Sequence, residues 1–389
     1  MAALVVLRIF LHHSDRRFIL LRTMGFIRVI LALSVVIGHY NSYKPNGIMQ
    51  LALPNERQAV VLFYIISGYY MALILNTKYR GPNGIKLFYI ARVLRLWPVY
   101  LIVLLLFLPF HLTGSIDYFI PYFKTLNVSI KIGVVLSNIF ILGQDIFWLL
   151  GLDGHGGISF DLWKWGGKFT SGSHLLLNLP AYTITFEIIF YIFAPFIVKS
   201  MKNCIIALIL GTAYHLALSA AGQPGLAYHY YLFPATIIYF SLGAVVYLVS
   251  KEGFRLKISH HIYALLFIIL LLCTPLLMPS YFILSFAISI PLIFSKTKNL
   301  SLDRTLGDLS YVIYLVHWNA IVLMRHYFGN DVSGIYVVLV TIAVSLILYQ
   351  LVERPIEKFR RRLLERLLEK QKATLAPAPG PEACPEPSS

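Results

Sequence analysis

Ionisable side chains are scarce within the apolar stretches of this 389-residue chain, and several of those present recur, with hydroxyl residues, at helical spacings. Arg28 and His39 lie eleven residues apart. Eleven steps of about 100° return to within about 20° of the start, so one helix face carries both, roughly 16 Å apart along the axis. Arg92 and Arg95 are three apart and share a side. Thr183, Glu187 and Tyr191 form a stripe at i, i+4 and i+8, and Ser310, Tyr314 and His317 another at i, i+4 and i+7. Ser67-Gly68 offers small residues where a second helix can approach closely. A neutral imidazole such as His39 can take the proton of an alcohol as that alcohol attacks a thioester. Guanidinium groups such as Arg92 and Arg95 suit a phosphorylated carrier, because they bind phosphate bidentately and keep their charge. Glu187 is placed to orient an imidazole and to stabilise its protonated form.

Each residue also has a plainer reading. His39 and His317 can be hydrogen-bonded packing groups, and Arg92 and Arg95 can be anchors that snorkel to headgroups. Glu187 can neutralise a neighbouring arginine, while Ser310 and Tyr314 can serve as interhelical hydrogen-bond glue.

The elements that must hold these residues are membrane helices. Hydrophobic residues make up 58% of the chain and charged ones 13%, against about a quarter charged in soluble domains. The apolar residues come in runs near the roughly 20 needed to cross a bilayer. The fold class expected is therefore all-α, a polytopic transmembrane helix bundle of about ten spans. These fall at 24–42, 58–76, 87–109, 180–198, 204–221, 228–249, 261–278, 280–296, 309–327 and 335–352. The net charge of +16 does not indicate nucleic acid, because the basic residues sit in short loops between the apolar runs. Their bias to one side predicts that both termini are cytoplasmic. Segment 110–179 then faces outward, with 132–150 as a re-entrant or interfacial helix. Residues 1–23 read as a cytoplasmic or interfacial lead-in with no small-residue cleavage site, followed by a membrane-embedded unit over 24–355. Residues 356–372 form a charged cytoplasmic helix, and 373–389 a Pro-rich disordered tail. No internal repeat is visible. Cys204, Cys273 and Cys384 lack metal-ligand spacing, so no metal is expected.

Six segments in order resemble the acyltransferase-3 family of membrane acyltransferases. They are Arg28 through the apolar run to His39; Phe63-Tyr64-Ile65-Ile66-Ser67-Gly68-Tyr69; Arg92-Val93-Leu94-Arg95-Leu96-Trp97-Pro98; and Glu187 with Phe190-Tyr191 and Pro195. Leu306-Gly307-Asp308-Leu309-Ser310-Tyr311 with Tyr314 and His317, and Val352-Glu353-Arg354-Pro355, complete the set. The resemblance covers about residues 22–360. It implies transfer of an acyl group, commonly acetyl, from acyl-CoA to an envelope or exopolysaccharide glycan in the bacterial inner (cytoplasmic) membrane. Acyl-CoA is then a co-substrate, with no permanently bound cofactor. The partners are the acyl-CoA donor, a glycan or lipid-linked saccharide acceptor and membrane lipid. Carried onto this chain, His39 resembles the catalytic histidine and Arg92 and Arg95 the pair at the donor end. With these we group Glu187 as a catalytic residue, Arg28 at the donor end, and Ser67, Tyr191, His317 and Glu353 around the substrate cavity. Family members often carry an Asp three residues before the arginine; this chain has Gly25 there. The resemblance also implies a single-module enzyme without a periplasmic esterase-like domain.

The rival reading is a transporter or flippase of a glycan-related substrate. Inverted repeats and helices broken at midplane would mark it; neither is visible, and the arginines cluster at one mouth.

Overall fold

The computed structural model describes residues 24–43, 53–81, 83–116, 119–153, 157–159, 170–222, 229–251 and 279–375. Its helices are α1 (Gly25–Tyr43), α2 (Glu56–Thr77), α3 (Gly84–Leu112), the short α4 (Ile120–Thr125), α5 (Val128–Phe140), α6 (Tyr182–Ile197), α7 (Met201–Ala220), α8 (Phe233–Lys251), α9 (Pro279–Thr297), α10 (Ser301–Phe328), α11 (Gly334–Leu348) and α12 (Arg354–Leu375). Among the described residues, eight helices are long and apolar enough to cross a bilayer. A ninth, α9, has a shorter apolar stretch, Tyr281–Thr297, and the expected span 261–278 lies outside the described residues, as do the lead-in 1–23 and residues 376–389.

The bundle is layered around α2, most of whose residues are buried, whereas in the peripheral α7 only Cys204, Ala207 and Gly211 are. Asn55 starts α2 with a capping box, its side chain accepting from Gln58 N while Gln58 bonds back. Helix α2 crosses α8 at Gly68 and Gly243, whose missing side chains let backbone meet backbone: a Cβ on Gly68 would strike the carbonyl of Phe240, and one on Gly243 the carbonyl of Ile65. Outward faces are apolar: Leu105, Phe196, Ile209, Leu210, Leu339 and Leu351 are all exposed. In water this would be a liability; against lipid tails it costs nothing.

Helix α1 packs along α10. Gly25 sits where a Cβ would collide with the backbone of Asp303, so no aspartate fits there. An aspartate from the neighbouring helix approaches instead, for Phe26 N donates to Asp303 Oδ1 at 2.8 Å and Met24 N to Thr297 Oγ1 at 2.9 Å. These bonds satisfy amides that a helix N-terminus leaves unpaired.

Helix α5 lies against α3, where Tyr100 donates to Asn138 O at 2.6 Å. At thirteen residues α5 is too short to span, reaching about 20 Å. Its exposed face is apolar, with Val128, Ile132, Leu136 and Phe140 outward. Asn138 ties it down, donating to Leu175 O at 2.9 Å and accepting from Leu177 N at 2.8 Å. Three two-residue strands (β1 Gly151–Leu152, β2 Ile158–Ser159, β3 Thr170–Ser171) form a small antiparallel sheet in the order β2-β1-β3.

The charged C-terminal helix is docked over its first turns, because Glu357, Arg360 and Leu364 of α12 are buried and Arg360 donates to Ala91 O of α3 at 3.3 Å.

Candidate functional site

Arg92 and Arg95 project from α3 toward the bundle interior, and the two guanidiniums meet different surroundings. Arg95 is 7% exposed and ion-paired through Nη1 to Glu353 Oε1, with Asp308 Oδ1 at 3.4 Å. Its guanidinium also lies over the Tyr311 ring, 5.1 Å from the centroid. Glu353 reaches Arg95 because α11 widens into a π-helical turn over Tyr349–Glu353 before Pro355. Pro355 has no N–H to continue an ordinary ladder. Instead Arg354 N donates to Tyr349 O, five residues back. Arg92 has aromatic neighbours: its guanidinium stands 5.7 Å from both the Phe88 and Tyr191 ring centroids, within cation–π range.

Both arginines line a cavity of about 90 Å³, together with Arg28, Ser67, Glu187 and Tyr191. Tyr191 donates to Glu187 Oε2 at 3.0 Å. That uses the only phenol hydrogen, so Ser67 is the donor in its 3.5 Å contact with Tyr191 Oη. Arg28, Phe63, Glu187 and Tyr311 also line a second cavity of about 60 Å³, which extends to Thr183, Ser310 and Tyr314. There Thr183 Oγ1 and Tyr314 Oη are 2.6 Å apart, both beside Pro180 O.

Beyond Tyr314 lies the histidine pair. The Tyr314 and His317 rings are 5.5 Å apart, and His317 Nε2 is 2.9 Å from His39 Nδ1. His317 is fully buried and its Nδ1 faces Tyr314 O at 2.7 Å. Trp318 meets His39 edge-on at 5.4 Å, and the adjoining Tyr40 donates to Val332 O at 2.6 Å, which pins this end of α1.

The face shared by Arg28 and His39 is thus turned toward α10, Arg28 onto both cavities and His39 onto His317. Ser67, Tyr191, Glu187, Arg92 and Arg95 line the first cavity as a group. Placement differs from expectation for three residues. The partner of the His39 imidazole is His317, while Glu187 is held by Tyr191 on the cavity wall. Glu353 and His317 line neither of the two cavities: the π-helical turn carries Glu353 onto Arg95, and His317 is sealed behind Tyr314.

Helical spacing does not single out Asp308 or Tyr311, although both lie in the run Leu306-Gly307-Asp308-Leu309-Ser310-Tyr311. A span begun at residue 309 leaves Asp308 in a loop, but α10 starts at Ser301 and carries it inside the bundle. A buried acid within a membrane helix is the signal that would have found it. Among the described residues, no cluster of His, Cys, Asp or Glu could hold a metal ion.

A family model described as an acyltransferase domain, that of the acyltransferase-3 family, matches residues 23–352. No curated protein and no solved structure matches the chain. Six ordered motifs, a bundle of membrane-crossing helices and a match over most of the sequence lead to one assignment: the chain belongs to the acyltransferase-3 family and is a membrane acyltransferase.

Proposed function

We propose that this protein transfers an acetyl group from acetyl-CoA to a hydroxyl of an envelope or exopolysaccharide glycan, with His39 as general base. The observation that carries this reading is a pair of cavities sharing Arg28 and Glu187, the first lined also by Arg92 and the second reaching Tyr314, whose ring is 5.5 Å from that of His317. With Arg95 matched by Glu353 and Asp308, the remaining cavity wall has two guanidiniums against one carboxylate, Glu187. That excess of positive charge suits an anionic, phosphorylated donor. The cavity volumes favour a small acyl group: at about 90 and 60 Å³, each is below the roughly 150 Å³ that admits a benzene ring. The basic bias of the loops supports an arginine end facing the cytoplasm, where acyl-CoA is available, with the acceptor on the far side.

In this reaction the acceptor hydroxyl gives its proton to His39 while its oxygen attacks the thioester carbonyl carbon. The carbon–sulfur bond then breaks, and the departing thiolate recovers the proton from the imidazolium. Bond formation and cleavage balance, the products are an ester and free CoA thiol, and His39 returns to its starting state.

The test is acetyl transfer in membranes carrying the protein, with labelled acetyl-CoA and the membranes' own glycans as acceptor. His39→Ala is expected to lower the rate by about 10²–10⁴-fold, the usual worth of a general base, with accumulation in the membrane unchanged. Undiminished glycan acetylation in that variant would overturn the assignment.

A further inference from the structure

We infer that His317 is the positioning residue that fixes His39 in the tautomer with its lone pair on Nε2, a role resting on the acyltransferase reading above. The argument runs from the backbone outward. Tyr314 O, 2.7 Å from His317 Nδ1, is a carbonyl and can only accept. His317 Nδ1 therefore carries a hydrogen. A fully buried neutral imidazole has one such hydrogen, so His317 Nε2 presents a lone pair. That lone pair faces His39 Nδ1 at 2.9 Å, so His39 Nδ1 is the donor and its own lone pair falls on Nε2. Among the described residues none bonds to that nitrogen.

The ring geometry agrees. The two imidazole planes are 5° apart with centroids separated by 5.1 Å. This exceeds the 2.9 Å N···N distance by about two ring radii, the separation of coplanar rings joined end to end by a straight hydrogen bond. The opposite arrangement, with His317 donating to His39, would set two lone pairs against each other at Tyr314 O or place a cation in a site of zero exposure. When His39 Nε2 takes a proton, the Nδ1–H bond to His317 becomes charge-assisted and strengthens. The carboxylate of a serine-protease triad does the same for its histidine. Here a neutral histidine anchored on a helix carbonyl replaces a carboxylate. No second charge is then needed in the bundle.

The experiment compares His317→Gln and His317→Leu with the wild-type full chain in membranes, using acetyl-CoA and endogenous glycans, alongside ¹⁵N NMR of histidine-labelled protein. His39→Ala assigns the His39 signals. Glutamine keeps an acceptor oxygen facing His39; leucine does not. His317→Leu is expected to lower kcat by up to about 10⁴-fold, the loss seen when the tautomer-fixing partner is removed from the triad, with KM for acetyl-CoA nearly unchanged. Its His39 signals should become a mixture of tautomers, whereas His317→Gln retains most of the rate and the single Nδ1–H tautomer. Wild-type kcat in His317→Leu, or a wild-type His39 carrying its hydrogen on Nε2, would overturn the inference. Should the leucine variant fail to accumulate, the wild-type tautomer and the glutamine variant decide. If the wild type transfers no acetyl group, the proposed activity fails, while the spectra still report on the histidine pair.

Discussion

At the arginine end of the polar core, Arg95 is held against two buried carboxylates, Glu353 and Asp308, from two other segments of the chain. At the histidine end, His39 and His317 are joined without any carboxylate, and the pair terminates on the backbone carbonyl of Tyr314. The first arrangement stabilises a charge by opposing charges; the second orients neutral rings by a chain of directed hydrogen bonds. A charge that is already matched has little left for a ligand, whereas an oriented neutral base keeps its lone pair available. The contrast separates even the two arginines of one helix turn. Arg95 is an anchor that closes the bundle around Glu353; in the proposed function Arg92, over two aromatic rings and facing the cavity, is the group left to meet a donor phosphate.

Breaking the matched charges should have the largest effect on stability. Glu353→Ala removes the closer of the two carboxylates on Arg95 and keeps the longer contact to Asp308. The variant is expected to lose about 3 kcal/mol or more, the usual cost of breaking a buried pair, read as a fall in the detergent-extracted protein's melting temperature. An unchanged melting temperature would remove the distinction between the arginines.

Arg92→Ala sharpens the same contrast from the other side. Loss of a charge-assisted contact of about 1.5–3 kcal/mol should raise KM for acetyl-CoA roughly tenfold or more. The melting temperature should move far less than in Glu353→Ala. A rise in KM for Glu353→Ala with none for Arg92→Ala would reverse the two roles.

The smallest effect is expected between the two ends. Thr183→Val removes the 2.6 Å contact with Tyr314 and should cost about 1 kcal/mol. Acetyl transfer should fall by less than in either His39→Ala or His317→Leu. A loss as large as theirs would mean that the Thr183–Tyr314 pair, and not the histidine pair, governs the chemistry.

Much of this is legible in the sequence. The periodicity of Arg28 and His39 fixed a common face, and Ser67-Gly68 marked a close crossing, which α2 and α8 make at Gly68 and Gly243. Asp308 was harder, because hydropathy alone starts a span at the first long apolar run, and α10 begins two polar turns earlier. Glu353 could not be placed by spacing, since counting 3.6 residues per turn fails where a π-helical turn intervenes.

Composition and helical period by themselves determined that this is a lipid-embedded bundle and which side chains share a face of each helix, because both follow from local geometry and from the cost of polar groups in hydrocarbon. Which of those faces meet was decided only by the tertiary structure. Helix packing brought His317 to His39, Glu353 and Asp308 to Arg95, and Asp303 to the start of α1, across separations of more than 200 residues in every case. The physical reason is that a charge or lone pair buried in a membrane must find a partner, and sequence spacing carries no information about a partner on another helix.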